Sequence, residues 1–226
     1  MKPDYKNWMP KGMVLGTLAL LFFAVWMGLL YRAFDYNGKR KLSQTIIAGV
    51  AAHVTLPDGG VGLDVGCGSG ALTIACAKRN PRASFIGIDR WGKEYASYNK
   101  PLCEANARAE GVQNTRFRQG DALKLDFPDE SFDAVVSNYV YHNIMGTDRQ
   151  EILLETLRVL KKGGVFALHD IYSKAKYGDM AQFAEKLRAM GYAHVELIDT
   201  TDGTFMSRRE AAWMGLSGSA LLTGIK

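Results

Sequence analysis

The chain has 226 residues, of which 47% are hydrophobic and 23% charged, and its formal net charge is +5. This length suits one α/β domain with an N-terminal extension, and so small and dispersed a positive charge argues against a nucleic-acid interface. The three cysteines have no C-x-x-C spacing, which argues against a disulfide framework or a zinc site, and no metal site is predicted.

Residues 13–31 (MVLGTLALLFFAVWMGLLY) form an uncharged apolar stretch between Lys11 and Arg32. As a helix rising about 1.5 Å per residue, this stretch reaches roughly the thickness of a bilayer's hydrocarbon core. It predicts one transmembrane helix, with a tail over 1–12 and a linker over 32–39. Three alternatives fit less well. A signal peptide has a shorter apolar run and a small-residue cleavage site, an interfacial helix has a charged face, and a buried core helix needs a domain face to cover it.

After a predicted helix over 40–54, residues 61–73 read VGLDVGCGSGALT. The apolar residues predict an enclosed parallel strand, and Gly66, Gly68 and Gly70 predict a tight turn into a helix, as in folds that bind a nucleoside-bearing cofactor. The same spacing fits the G-x-G-x-x-G/A turn of dinucleotide enzymes. Asp64 beside the turn suits a ligand with an ammonium or sulfonium group better than a pyrophosphate, which favours S-adenosylmethionine.

Polar residues also follow the next predicted strands. These strands span residues 83–88, 115–119, 132–137 and 165–170, the last after the turn Lys162-Gly163-Gly164. Asp89 ends the first of them and can accept hydrogen bonds from both ribose hydroxyls. Asp121, in a Gly-Asp-Ala turn, is predicted to meet the adenine amino group, and Asn138 to lie beside the reactive end of the cofactor.

The segments DVGCGSG, GID, GDA, FDAVVSN and LRVLKKGG resemble the successive motifs of class I S-adenosylmethionine-dependent methyltransferases, over residues 40–226. The resemblance implies a Rossmann-like α/β fold with a mostly parallel seven-stranded sheet and an antiparallel C-terminal strand pair, 193–198 and 220–225. The residues between those strands leave no room for a crossover helix of ordinary length, unless residues 208–214 form a short one. The remaining helices are expected near 70–79, 93–110, 147–160 and 177–190.

The resemblance also implies roles for individual residues. Gly66, Gly68 and Gly70 would line the methionine part, Asp89 would hold the ribose, Asp121 would face adenine, and Asn138 would lie near the methyl group. The predicted cofactor-binding set is completed by Asp64, Cys67, Arg90 and Ala122.

The segment SNYVYHNI, residues 137–144, is expected to form the acceptor side of the site. His142 is the candidate general base, or a loop histidine that caps the next helix or shapes the pocket. Tyr139 is predicted to shield the sulfonium with its ring, or to pack against adenine. His169 and Asp170, at the end of the fifth strand, either reach the substrate or stabilise a turn.

Two prolines after Asn138 would mark adenine-N6 or glutamine-N methyltransferases, and Tyr139 and Val140 stand there instead. The segment is similar in part to methyltransferases of ubiquinone and menaquinone biosynthesis. The chain departs from these in its membrane helix and in the bulky segment after Asp89, where Trp91 and Tyr95 would cover adenine or shape an acceptor entrance.

The predicted function is a membrane-anchored methyltransferase for a small, apolar acceptor such as a lipid, a quinone precursor or a thiol. The charges around the helix are nearly balanced and give no orientation, but S-adenosylmethionine is kept inside cells, so the domain is expected to face the cytoplasm. Two alternatives stay open: a methyltransferase for neighbouring membrane proteins, and a cofactor-binding module without turnover.

Overall fold

The computed structural model describes residues 11–92 and 97–226, in two compact units, residues 1–44 and 45–226. In the first unit, α1 (Lys11–Phe34) contains the predicted helix over 13–31. Its stretch Gly12–Phe34 is long and apolar enough to cross a membrane, a property that signal sequences near an N-terminus share. Of the predicted tail over 1–12, the structure describes Lys11 and Gly12 alone.

The second unit is built on a seven-stranded sheet. The strands are β1 (Val61–Val65), β2 (Ser84–Asp89), β3 (Thr115–Gln119), β4 (Phe132–Asn138), β5 (Leu160–Ile171), β6 (His194–Asp199) and β7 (Ser219–Ile225). Their order is β3-β2-β1-β4-β5-β7-β6, with β1 to β5 parallel and β7 antiparallel to both of its neighbours. The predicted Rossmann-like fold with an antiparallel C-terminal pair is therefore confirmed.

The helices lie close to their predicted positions. Those in or entering the second unit are α2 (Leu42–Ala52), α3 (Ala71–Arg79), α4 (Lys100–Ala109), α5 (Arg149–Arg158), α6 (Lys174–Tyr177), α7 (Met180–Ala189) and α8 (Arg208–Met214). The four-residue α6 is too short for a periodic signal and was not predicted. Of the helix expected over 93–110, the first four residues lie outside the described part of the chain.

The turn predicted at Lys162-Gly163-Gly164 is wrong, because these residues lie within β5. The register between β4 and β5 shifts between Phe132 and Ala134, which accommodates the irregular stretch. Gly163 has φ of +77° there, and its N–H donates to the Lys226 carbonyl at 2.6 Å. A glycine that looked like a turn residue is thus a strand irregularity.

The carboxyl ends of β1, β2 and β4 meet at one edge of the sheet, where their polar residues come together. Leu63, Val65, Phe85 and Ile88 are buried below this edge, as expected for strands covered on both faces. The apolar interior therefore holds the strand ends, and the polar residues after them, in fixed positions.

Asn80 ties the segment before β1 to the end of α3. Its side chain is buried, donates to the carbonyls of Val54 (3.2 Å) and Cys76 (2.9 Å), and accepts from the N–H of Leu56 at 2.8 Å. One amide thus satisfies three backbone groups that would otherwise lack partners.

We expect Asn80→Ala to lower the free energy of unfolding by about 2 to 3 kcal/mol, because it leaves buried backbone groups unpaired. The measurement is urea denaturation of the full chain in detergent, with the exposed Asn37→Ala as the matched control, expected to change stability by about 0.5 kcal/mol or less. Equal stability of the two variants would contradict this role of Asn80.

Candidate active site

The glycine turn after β1 has the backbone geometry that its sequence demands. Gly66, Gly68 and Gly70 have φ of +76°, +56° and +85°, a region that other residues rarely adopt. The N–H groups of Gly66 and Cys67 both donate to the carbonyl of Ile88, at 2.8 and 2.9 Å. A Cβ atom on Gly66 would also collide with the side chain of Val140. The turn is therefore fixed to β2 and packed directly against the segment after β4.

Asp89 holds the turn from the other side. Its Oδ2 accepts the N–H of Gly68 at 2.9 Å, and its Oδ1 accepts the N–H of Trp91 at 2.8 Å. The indole N–H of Trp91 in turn donates to the carbonyl of Gly68 at 3.0 Å. Trp91 thus closes the loop beside the turn, and Tyr95 lies outside the described residues. Each oxygen of Asp89 keeps acceptor capacity for a further donor.

Asp64 lies at the floor of the site and is almost completely buried. Its Oδ2 accepts the hydroxyl of Thr73 at 2.6 Å. Burial, together with the nearby charge of Asp89, raises the pKa of Asp64 to about 7 despite this hydrogen bond. A cationic ligand above Asp64 would favour its ionised form.

A cavity of about 510 Å³ lies above these residues, within the size range of ligand sites. It brings together ten of the twelve predicted site residues: Asp64, Gly66, Cys67, Gly68, Asp89, Arg90, Asp121, Ala122, Asn138 and Tyr139. Gly70 and His142 do not line it. Gly70 lies behind the turn, where a Cβ atom would meet Phe117 and Cys103.

One wall of the cavity is apolar, and sequence reasoning missed most of it. Its side chains come from α2, from α3 and from the segment after β4: Ile47, Leu72, Val140, Ile144 and Met145. Met145 is 86% exposed at the mouth of the cavity. Val140 and Ile144 lie in the segment 137–144 that was expected to form the acceptor side, but no motif marks Ile47, Leu72 or Met145, because an apolar side chain lining a ligand site and one filling a core look alike in sequence. The predicted helix over 40–54 was the one available signal for α2.

Asn138 is fixed by a buried histidine behind it. His169 is fully buried, with Nδ1 2.8 Å from Oδ1 of Asn138 and Nε2 2.9 Å from Oγ1 of Thr200. Burial lowers the pKa of His169 to about 4, so its ring is neutral at physiological pH. His169 orients the cavity-lining amide and does not itself line the cavity.

Tyr139 is held in a strained but well-anchored conformation. Its φ is +57°, its phenol oxygen lies 2.8 Å from Oγ of Ser219, and its ring packs edge-on to His169 with centroids 4.7 Å apart. Burial raises the pKa of the Tyr139 phenol above its usual range, so the group stays protonated. Its ring can line the site, but its phenol is no base.

His142 is paired with a carboxylate. Its Nδ1 lies 2.5 Å from Oδ1 of Asp170, which is fully buried at the end of β5. Oδ2 of Asp170 accepts the backbone N–H groups of Tyr141, at 2.8 Å, and of His142, at 3.2 Å. The sequence indicated that both side chains follow strands, but not that they pair.

Comparison with known proteins agrees with this geometry. The methyltransferase domain family matches residues 63–168. An uncharacterized methyltransferase of Bacillus subtilis, YcgJ, is 36% identical over 49% of this chain and 40% of its own length. The demethylmenaquinone methyltransferase of Roseiflexus castenholzii is 28% identical over 75% of this chain and 77% of its own length. Residues 63–168 thus match a methyltransferase domain, and these similarities support a class I S-adenosylmethionine-dependent methyltransferase.

A solved structure shares the fold. The [4+2]-cyclase SpnF superposes with a TM-score of 0.61 at 21% identity, over 85% of each chain. At this identity the similarity concerns the fold alone, since one fold serves different reactions. The methyltransferase domain implies S-adenosylmethionine as the cofactor, and the acidic floor and glycine turn of the cavity fit its positive charges and its nucleoside.

We expect S-adenosylmethionine to bind more tightly as the pH rises towards 7, by up to about tenfold per pH unit. Below its pKa of about 7, Asp64 is protonated in the free protein and must release that proton to interact with a cation as a carboxylate. Calorimetry of the full chain between about pH 5.5 and 7.5, in buffers of different ionisation enthalpy, measures affinity and proton release.

Asp64→Asn is expected to flatten this pH dependence, because the amide does not titrate. The exposed Asp58→Asn serves as the matched control and should behave as the wild type. An affinity of the wild type that does not change with pH would show that Asp64 does not face the cofactor's charge.

Proposed function

We propose that this protein transfers a methyl group from S-adenosylmethionine to a small, apolar, membrane-associated acceptor. The observation that carries the proposal is the mixed character of the cavity. Its lining combines the acidic and glycine residues of the strand ends with the apolar side chains of Ile47, Leu72, Val140, Ile144 and Met145. The first group suits a charged nucleoside donor, and the second suits an acceptor that prefers lipid to water.

The proposed cofactor placement follows the strand ends. Asp89 accepts the ribose hydroxyls, Asp64 faces the positive charges of the methionine part, and Asp121 meets the adenine. Oδ1 of Asp121 accepts the N–H of Leu123 at 2.9 Å, which holds that side chain in a defined turn. Asn138 and Tyr139 then lie nearest the methyl group, with the ring of Tyr139 against the sulfonium.

Positioning supplies most of the proposed catalysis. S-adenosylmethionine contributes a methyl group on a positively charged sulfur, which is already activated for displacement. The protein has to hold the acceptor in line behind the S–CH₃ bond and exclude water. Gly66 and Val140 pack against each other, so the glycine turn and the segment after β4 are in direct contact.

The apolar acceptor is supported by two further observations. The relative from Roseiflexus castenholzii is named for demethylmenaquinone, a molecule with an apolar chain. α1 is long and apolar enough to anchor the chain in a bilayer, where such molecules dissolve. We propose that α1 is this anchor and that the domain over 40–226 faces the cytoplasm, where S-adenosylmethionine is made.

The first test is the destination of the methyl group. Full-length protein in nanodiscs is incubated with methyl-labelled S-adenosylmethionine and membranes from the host cells in which the protein is expressed. The mixture is then separated into a lipid extract and a protein fraction. We expect the label in the lipid extract. Asp89→Ala, which loses the contacts to Gly68 and Trp91, is expected to bind the cofactor weakly and transfer little. Exposed Asp58→Ala is the matched control.

Each other result of this test has a distinct meaning. Label in the protein fraction would indicate a protein methyltransferase. Cofactor binding without any transfer would indicate a binding module. Either result would contradict the proposed function.

The second test concerns the membrane. Protease added to the cytoplasmic side of sealed vesicles is expected to digest residues 40–226 and leave α1 protected, because only the helix is embedded. Protection of the domain on that side would reverse the proposed orientation. A chain that washes off the vesicles at high salt would contradict the anchor itself.

A further inference from the structure

The pairing of His142 with Asp170 determines which ring nitrogen is basic. Asp170 accepts the backbone N–H groups of Tyr141, His142 and Ile171, as a carboxylate does, so the Nδ1 atom of His142 donates to it as well. In the neutral ring the lone pair then lies on Nε2. Among residues 11–92 and 97–226, no hydrogen bond to that Nε2 is present, and the side chain is 17% exposed. The nitrogen is available to an incoming proton.

His142 lies at the edge of the cavity, beside its apolar wall. Its ring is perpendicular to that of Tyr139, with centroids 6.1 Å apart, and Tyr139 lines the cavity. Its neighbours Val140 and Asn143 also line it. The other polar side chains of residues 137–144 are amides, the hydroxyl of Ser137 and the phenols of Tyr139 and Tyr141, and burial raises the pKa of both phenols. None of these groups acts as a base near neutral pH. Within residues 137–144, His142 is therefore the side chain that can act as a base.

We propose that His142 is a general base positioned by Asp170, and that the acceptor therefore carries a weakly acidic O–H or S–H group at the atom that is methylated. This inference rests on the proposed function. A lone pair of the oxygen or sulfur forms the bond to the methyl carbon. The S–CH₃ bond breaks, and its electron pair stays on the sulfur of S-adenosylhomocysteine. The acceptor's proton moves to Nε2 of His142.

Asp170 acts in this reaction through His142 and is a positioning residue. It fixes the tautomer and the ring orientation, and its buried charge stabilises the imidazolium that forms. It also holds the backbone at Tyr141, so the base cannot move independently of the wall that contacts the acceptor. Methylation of an acceptor that lacks a removable proton, such as a thioether or a tertiary amine, would not require a general base.

The test uses the full-length protein in nanodiscs, with the host lipid extract as acceptor and S-adenosylhomocysteine as the binding probe. His142→Gln is expected to bind the probe as the wild type does and to lose on the order of 10²- to 10⁴-fold in kcat. Asp170→Asn should lose about tenfold or more, because Nδ1 keeps an acceptor of lower strength. Exposed His194→Gln is the matched control, with unchanged kcat.

The pH profile separates a base from a structural residue. The wild-type rate is expected to rise with pH and reach a plateau, because Nε2 of His142 then takes up the acceptor's proton in every catalytic cycle. The small rate of His142→Gln should keep rising, by about tenfold per pH unit, because only spontaneously ionised acceptor then reacts. The product of the wild type, typed by mass spectrometry, should be a neutral ether or thioether in which methyl replaces one hydrogen.

Several outcomes would overturn this inference alone. One such outcome is a His142→Gln variant with the same kcat and pH profile as the wild type, and another is a methylated product with a permanent charge. In both cases, label in the lipid extract would still support the proposed function. Loss of probe binding in both variants would show that His142 and Asp170 have a structural role in the cofactor site instead of a catalytic one. Absence of label in lipid with the wild type would instead overturn the proposed function, and this inference with it.

Discussion

The carboxyl end of β2 fixes the site, because two successive residues there hold the glycine turn by its backbone. The carbonyl of Ile88 accepts from Gly66 and Cys67, and the carboxylate of Asp89 accepts from Gly68. The turn contains left-handed glycines that would otherwise sample many conformations. These bonds confine it to one conformation, and Gly66 then packs on Val140. The segment after β4 is thus positioned directly against the glycine turn.

The same edge of the sheet contains polar side chains whose burial lowers stability. Asp64, His169 and Asp170 are almost completely buried, and burial is the largest cause that raises the pKa of Asp64 and lowers that of His169. Each is hydrogen-bonded, which reduces the free-energy cost without removing it. A fold selected only for stability would place apolar side chains at these positions, so their presence is best explained by the chemistry of the site.

Site residues could be predicted from the sequence where their position depends on neighbouring residues in the chain, and not where it depends on the register between strands. Residues that directly follow a strand, such as Asp89 and Asn138, were predictable because parallel strands bring their carboxyl ends to one edge. The pairing of His142 with Asp170 was not, because it depends on the register that sets Asn138 beside His169. The sequence indicates that β4 and β5 exist, but a shift of that register would pair other residues. The β5 irregularity at Gly163 escaped prediction for the same reason.

The apolar lining of the cavity and the apolar helix α1 both fit the proposed acceptor, which would reach the enzyme from the bilayer. A molecule that partitions into a bilayer is dilute in water, so an enzyme in solution meets it rarely. An anchor confines the enzyme to the thin layer where the acceptor is concentrated, which raises the effective concentration without any new contact. The free energy of binding then need not come from a large acceptor pocket. Under the proposed function, a modest apolar lining that includes the exposed Met145 suffices, because a membrane anchor would already place the enzyme where the acceptor is concentrated.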